Sequence, residues 1–493
     1  MSWLRQTLVD LDGQRILGHC LTEPMRDCGE EIPRGREASP SHEKDMIRSL
    51  RIRLWIVGIA SSAGYLSFCI RVGRHPVVLL WGFPLAEFLT PFLFHFAFLF
   101  LLALIAAGWT FRARTDDRGT LGLILGFALL FRLLLLPTPP VLSSDIFRYI
   151  WDARVQASGI NPYLSRPADF DTEANRKDPI YQQQNRPFAR TIYPPLAQVA
   201  FRITRSVVGE SVTVMKGLMV MADLCSLALL SWLLPSMGLP RSRVILYAWH
   251  PLVIFEYAGS GHVDALAVPL ILLAVLSWQR NHRTVTGIAL GAATLVKIYP
   301  VFLLPAFFER RRWQLPLACA ITIAVGYLPF VSQAGLEVLG HLPRFLVDPQ
   351  EVFNPSLMGL VFLLGDDGGR ILAFWLWWIG CAALLAILIL LVRKDTVRPS
   401  DVLRRIWVIG TGLVLLARTF HPWYLLWLLP FLTIEPRPAW IYLSGAVALS
   451  YLFYMVPPPV SVAIGVIEYL PFLLLLAWQR GRFGILHGKG HPL

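Results

Sequence analysis

Charge is scarce in this sequence. Only 16% of its 493 residues are Asp, Glu, Lys or Arg, against roughly 25% in ordinary soluble domains, while 55% are hydrophobic. That balance excludes a soluble globular enzyme and points to an all-α, polytopic membrane protein. Cysteine is also sparse: Cys69, Cys225, Cys319 and Cys381 fall in apolar stretches, and Cys20 and Cys28 in polar sequence. Neither a disulfide framework nor a metal-ligand spacing emerges. Residues 1–50 lack the uninterrupted apolar run of a secretory signal, and no internal repeat is visible. They read as a polar cytoplasmic extension. The formal net charge of +13 sits mostly in loops between apolar runs, so it reflects topology and implies no nucleic-acid partner.

Long apolar runs are what the chain has in quantity. Windows long enough for the roughly 30 Å hydrocarbon core fall near 52–71, 88–111, 119–137, 212–234, 243–258, 260–279, 313–332, 369–392, 403–419, 421–434, 438–456 and 459–478. About twelve spans are therefore expected. Lys and Arg collect at Arg112/Arg114/Arg118, Arg241/Arg243, Arg280/Arg283, Arg310 to Arg312, Arg393 to Arg405 and the C-terminal tail. These connections should be cytoplasmic, since translocated loops avoid basic residues. The scheme puts both termini in the cytoplasm, the protein in the plasma (inner) membrane and the long loop 138–211 outside. The stretch Arg71 to His75 is the one basic patch that this assignment leaves outside.

Between Arg283 and Arg310 the flanks are basic at both ends of one apolar stretch. A single span would expose one flank, so a re-entrant pair of short helices is expected, broken at Val296-Lys297-Ile298-Tyr299-Pro300. Proline removes a backbone donor and ends the helix ahead of it. Irregular backbone at that depth is tolerated only inside protein or beside a water-filled cavity, which places Lys297 near a cavity tip.

The outer loop opens with Ser143-Ser144-Asp145-Ile-Phe-Arg148-Tyr149-Ile-Trp151-Asp152-Ala-Arg154-Val-Gln156 and continues to Gly159-Ile-Asn161-Pro162-Tyr163. A serine caps a helix with Asp145 in its first turn, where the backbone dipole favours a carboxylate. Asp145, Arg148, Tyr149, Asp152 and Gln156 then share one polar stripe. A solvated face of i,i+4 pairs is the plain alternative. Further on, Tyr193-Pro194-Pro195 leads into an amphipathic helix over 196–208, with Arg202 and Arg205 on its basic side. Such arginines either snorkel at lipid headgroups or bind a lipid phosphate. Other polar residues at the outer level are Glu256, His262 and Asp264, and Arg418-Thr-Phe-His421-Pro422-Trp423-Tyr424. Ionisable groups in spans are costly and generally face a cavity. Lys216 and Asp223, on one span, are expected to neutralise each other. His250 belongs to the inner half of its span, away from this cluster.

These residues, taken together, resemble the GT-C class of membrane glycosyltransferases that use polyprenyl-phosphate sugars, in particular the bacterial polyprenol-phosphate-mannose-dependent mannosyltransferases and the eukaryotic mannosyltransferase that adds the first mannose of the GPI anchor. The resemblance rests on Ser144 to Arg154 with Gly159 to Tyr163, then Tyr193-Pro194-Pro195, Gly261-His262-Val-Asp264, Lys297-Ile-Tyr299-Pro300 and His421-Pro422-Trp423-Tyr424. It covers roughly residues 119–435. It implies a GT-C-type bundle of about twelve spans with a re-entrant helix pair and a helical extracytoplasmic loop. The expected organisation is an N-terminal extension (1–50), two additional spans (51–118), a catalytic membrane core (119–435) with outer loop 138–211, and C-terminal spans with a basic tail (436–493).

What the resemblance implies chemically is transfer of a hexose, with mannose the expected sugar, from a polyprenyl-phosphate donor to a glycolipid or glycan acceptor, inverting the anomeric carbon. Asp145 matches the catalytic base. The substrate and lipid-phosphate set comprises Arg148, Tyr149, Asp152, Arg154, Asn161, Tyr163, Tyr193, Arg202, His262, Asp264, Lys297, Tyr299, Arg418, His421, Trp423 and Tyr424. Membrane lipids are the remaining partners. No cofactor is implied. Many members carry paired acids in this loop, whereas the acid following Asp145 is Asp152, about 10 Å further along a helix and too far to grip one ion with it; a divalent metal is left open. Competing readings are a lipid-linked glycan ligase or polymerase, whose large loop usually comes late in the chain, and a transporter or flippase, which would more often show inverted repeats.

Overall fold

The structure, a computed structural model, describes residues 40–73, 85–347, 353–354, 367–393, 397–456 and 458–487. Chain contacts divide it into Met1–Asp45 and Met46–Leu493. Of the first unit the described part is helical residues 40–45; the account below concerns the second. Most of the polar extension, with Cys20 and Cys28, lies outside the described residues, as do 74 and 75 of the Arg71 to His75 stretch.

Helices of twelve residues or more are numbered here: α1 Pro40–Gly73, α2 Leu85–Ala113, α3 Arg118–Leu135, α4 Asp145–Ala157, α5 Pro195–Val208, α6 Val212–Ser236, α7 Asp264–Gln279, α8 Arg283–Thr294, α9 Gln314–Ala334, α10 Asp367–Val392, α11 Pro399–Leu416 and α12 Pro458–His487. Among the described residues there is no named strand, only an isolated bridge between Phe353 and Thr419. Among the described residues seven helices are long and apolar enough to cross a membrane: α1, α2, α3, α6, α9, α10 and α12. Large apolar side chains such as Ile56, Phe94, Trp232 and Leu328 stand exposed on their faces, as lipid contact requires. The chain is an all-helical membrane protein.

The twelve expected windows do not become twelve continuous helices. The window at 260–279 yields α7, of 16 residues. The windows at 243–258, 421–434 and 438–456 are broken into short 3-10, α and π pieces. Pro251, Pro422, Pro430 and Pro438 open new short segments there, because proline is tolerated in a first turn and not in a helix interior. Hydropathy windows register apolar content and are blind to such breaks.

The expected re-entrant feature has a clear form. Helix α8 has only 12 residues, about 18 Å, and gives way at Lys297 to a 3-10 turn, Tyr299–Leu303, and a short helix, Leu304–Phe307. Its two ends meet: the Arg283 guanidinium lies 2.9 Å from the Glu309 carboxylate, and the Trp278 indole donates to the Phe307 carbonyl at 3.0 Å. Helix α8 packs on α9 through Gly287 and Gly291. A Cβ on either would come within 2.2 Å of the Leu315 carbonyl or 2.8 Å of the Cys319 carbonyl, so small residues are what allow the backbones to approach.

Buried charge within the spans is paired, but not as expected. Asp223 on α6 accepts from Arg132 on α3 at 2.5 Å and from the Tyr247 hydroxyl at 2.7 Å. Lys216 instead donates to the carbonyls of Leu135 and Thr138 at 3.0 and 2.6 Å. Seven helical residues separate Lys216 from Asp223 by about 10 Å, too far for direct neutralisation, and α3 supplies the nearer partners for both.

The outer loop is built on α4 and α5, packed through Tyr149 stacked on Phe201 at 4.6 Å and 6°. Helix α4 starts without a side-chain cap from Ser144; the Ser143 hydroxyl accepts from the Asp145 amide at 3.3 Å. Helix α5 buries Ala197, Gln198 and Phe201 and leaves Val199, Ile203 and Val207 exposed. That outward apolar stripe is what an interfacial helix presents to lipid.

Candidate active site

Two chain segments converge on the first turn of α4. The first is Gly261-His262. Gly261 has φ +78°, and a Cβ there would lie 2.6 Å from the Ile146 side chain, so the chain can pass this close to α4 only with glycine. The turn carries His262 with it: Nδ1 sits 3.8 Å from Asp145 Oδ2. The second is the loop after the short helix Pro179–Gln183, which brings the Asn185 amide to donate to Asp145 Oδ1 at 2.6 Å. The Asp145 carboxylate is thus held at one oxygen and faces an imidazole with the other, while its side chain keeps 19% exposure. A reacting hydroxyl can reach it.

Behind His262 the groups are fully enclosed. Its Nε2 lies 3.3 Å from Glu256 Oε2, and Glu256 Oε1 accepts from the Tyr451 hydroxyl at 2.5 Å. Glu256 sits in a π-helical turn, Phe255–Gly259, a distortion that recurs at functional sites. Neither nitrogen of His262 has a hydrogen-bond partner, although both are buried. The imidazole stacks on the Trp423 indole at 3.8 Å and 18°. His421 stacks on the same indole at 4.2 Å and 3°, and Phe353 stacks on His421 at 4.5 Å. Trp423 therefore stacks on two imidazoles.

The re-entrant tip supplies the cation. Lys297 Nζ donates to Asp264 Oδ2 at 2.5 Å and lies 4.7 Å from the centre of the Tyr424 ring. Asp264 has no exposure and its Oδ1 has no partner. Tyr299 stacks on Trp427 at 5.3 Å with a buried, unpartnered hydroxyl. His421 is within electrostatic reach of Arg186, His262 and Lys297, and its Nδ1 is also buried without a partner. The His421 ring thus faces three nearby cationic or cation-forming groups.

The remaining candidates make the following contacts. Arg148 donates to Asp152 at 2.8 Å and to the Ala189 carbonyl at 2.9 Å. The second Asp152 oxygen accepts from Gln198 at 2.8 Å. Arg154 ties α4 to Asp178 and Glu210, and Arg205 joins it on Glu210 at 3.0 Å. The Glu210 carboxyl is held below its usual range by the hydrogen bonds from Arg154, against some burial, with Arg205 adding to the effect. Asn161 donates to the Phe330 carbonyl at 3.3 Å. Tyr163 donates to the Tyr193 carbonyl at 2.7 Å, while the Tyr193 ring packs edge-on against Tyr149 at 4.9 Å. The Tyr149 hydroxyl accepts from the Val263 amide at 3.4 Å, binding α4 to the His262 turn. Arg202 donates to Ser206 on its own helix at 3.0 Å. Arg418, half-buried beyond α11, is engaged in contacts of its own.

Asn185 and Tyr451 were invisible in the sequence. No spacing marks a lone Asn in a polar loop or a Tyr in an apolar run. Glu256 was visible as an ionisable group in a span, but not its place beside His262. Among the described residues, no group of three or more His, Cys, Asp and Glu side chains is arranged to hold a metal ion.

No curated protein and no solved structure matches this chain. A protein-family model does: alpha-(1->6)-mannopyranosyltransferase, N-terminal domain, over residues 55–309. The matched stretch contains Asp145, Asn185, Glu256, His262, Asp264 and Lys297. Because it spans just over half of the 493 residues, the chain belongs to the MptA_B family and is a GT-C-type membrane mannosyltransferase.

Proposed function

We propose that the protein moves mannose from a polyprenyl-phosphate mannose to a hydroxyl of a mannose-containing glycolipid or glycan on the extracytoplasmic face, with an α(1→6) product as the family description implies. Asp145 is the base. Its carboxylate is pinned by Asn185, left open to an incoming hydroxyl and set at a helix start, and this arrangement is the observation that carries the proposal. The acceptor oxygen attacks the anomeric carbon, its proton passes to Asp145, and the bond to the phosphate oxygen breaks. One displacement inverts a β-linked donor to an α-product.

Lys297 and His421 stabilise the charge that develops on the departing phosphate. Such groups matter most when fixed in place before the reaction in a water-poor site. Asp264 and Tyr424 hold Lys297, and Trp423 holds His421. The basic connections between apolar runs support an outward-facing site, and the exposed stripe of α5 gives the outer loop a lipid contact. Arg148, Asp152, Asn161, Tyr163 and Tyr193 then act by shaping the loop.

The test is transfer of labelled mannose in membranes carrying the full chain, with polyprenyl-phosphate mannose or a nucleotide-linked mannose as donor and an alkyl mannoside as acceptor. Label should reach the acceptor from the lipid donor only. Equal transfer from the nucleotide sugar would overturn the donor assignment.

A further inference from the structure

Asp145 cannot retain the proton it takes: the next turnover needs the carboxylate again. A base that opens to bulk water resets by itself, but Asp145 is mostly enclosed, with Asn185 on one oxygen and His262 on the other side. Among the described residues a route leads inward. From Asp145 Oδ2 it is 3.8 Å to His262 Nδ1, from His262 Nε2 3.3 Å to Glu256 Oε2, and from Glu256 Oε1 2.5 Å to the Tyr451 hydroxyl. All the groups beyond Asp145 are buried, and neither imidazole nitrogen has a hydrogen-bond partner, the two carboxylates standing close to them without completing a bond. A buried imidazole set between two carboxylates with both nitrogens open is costly as architecture; it has a use if a proton moves through it.

We infer that His262 and Glu256 form a proton relay behind Asp145, holding the acceptor's proton until the lipid phosphate leaves. This rests on the reading of Asp145 as base. In the resting state Nε2–H of neutral His262 faces the Glu256 carboxylate, so Nδ1 is a free acceptor facing Asp145. When the acceptor O–H bond breaks and the new O–C1 bond forms, C1 parts from the phosphate oxygen and the proton arrives on Asp145. It passes to Nδ1, giving an imidazolium balanced by Glu256, and Asp145 is a carboxylate again. The released polyprenyl phosphate is a phosphomonoester, whose second ionisation falls near about 6; it accepts the proton as it departs, and His262 returns to neutral. The 3.8 Å between Asp145 and His262 must shorten for the transfer, as catalytic hydrogen bonds commonly do when substrate binds.

Glu256 does not touch substrate, so its role is positioning and charge balance. The ionisable groups facing His262 come from separate elements: Asp145 from α4, Glu256 from the π turn, Asp264 with Lys297 at the re-entrant tip, His421 across Trp423, and Tyr451 behind Glu256. Asp264, Lys297 and His421 are untouched by Glu256→Gln, which keeps the shape and a hydrogen bond to Tyr451 but removes the charge.

The experiment uses the full chain in lipid nanodiscs, with short-chain polyprenyl-phosphate mannose as donor and an alkyl mannoside as acceptor. Kinetics for Glu256→Gln, Tyr451→Phe and Asp145→Asn are followed as a function of pH and in deuterated water. A relay predicts that Glu256→Gln lowers kcat about 10- to 100-fold, less than the roughly 10²- to 10⁴-fold that a base itself contributes, with little change in KM. It also moves the acid limb of the kcat–pH profile to lower pH, since a negative neighbour favours the imidazolium. Tyr451→Phe removes a donor to Glu256 and leaves the charge in place, so it should move the limb weakly the other way. A fall in kcat with an unmoved limb and an unchanged solvent isotope effect would mean that Glu256 is structural and would overturn the relay. So would wild-type kcat in folded Glu256→Gln. If Asp145→Asn is inactive in that same experiment, only the relay falls; if it stays active, the base assignment falls with it.

Discussion

The start and the middle of α4 use charge in opposite ways. In its middle, Arg148 and Asp152 satisfy each other, and Gln198 and the Ala189 carbonyl take up further bonding capacity. At its start, Asp145 stands between one amide and an imidazole whose nitrogens are unpartnered. Eight residues hold both arrangements, one closed and one open. Polar groups closed among themselves lock the outer loop to the membrane bundle. Groups left with open bonding positions beside an accessible carboxylate are where a substrate would complete the network.

The contrast breaks most sharply at Asp145. Asp145→Asn should reduce transfer by about 10²- to 10⁴-fold, the contribution of a positioned base, and leave the thermal unfolding midpoint near that of the wild type. Next in size, Arg148→Met strands Asp152 without its cation. Removing one partner of a buried pair typically costs about 3–5 kcal/mol, so unfolding should move down by that amount while transfer per folded molecule survives.

A smaller effect is expected at the re-entrant tip. Lys297→Met removes a charged hydrogen bond of the kind worth about 1.5–3 kcal/mol; kcat/KM for the lipid donor should fall about 10- to 100-fold, with the loss carried by the donor and not by the acceptor. The smallest belongs to the rim clamp of Arg154, Arg205 and Glu210. Glu210 is depressed in the folded state, so its stabilisation is present above the unfolded carboxyl range and is lost as pH falls through its lower folded value. Glu210→Gln should cost at most about 1 kcal/mol at neutral pH, as a partly exposed pair does, and the difference from wild type should close in unfolding measurements below about pH 4.

How much of this was legible in the sequence depended on whether the signal was local. Asp145 could be read because helix-start chemistry, a Pro-rich approach and the i,i+4 stripe all lie within a few residues. The re-entrant break could be read because Pro300 sits between two basic flanks, and the flanks do meet through Arg283 and Glu309. Partner identity could not. Asp223 shares a helix with Lys216, yet Arg132 on α3 claims it, since packing of separate helices sets which charges touch. Asn185 reaches Asp145 across 40 residues of loop with no periodicity to announce it. The continuity of the spans was also hidden, because Pro251, Pro422 and Pro430 cut apolar windows that hydropathy scores as whole. His262 was visible as a polar residue near a membrane boundary, but its stack with Trp423 and His421 required the fold.

The central claim is that the open end of α4 performs the chemistry and the closed middle carries the structure. Its most direct test is mannosyl transfer per folded molecule, with folding scored independently by thermal unfolding, for Asp145→Asn and Asp152→Asn side by side. The account predicts that Asp145→Asn is stable and nearly inactive, and that Asp152→Asn is less stable but active in proportion to what remains folded. Stable, active Asp145→Asn would contradict it.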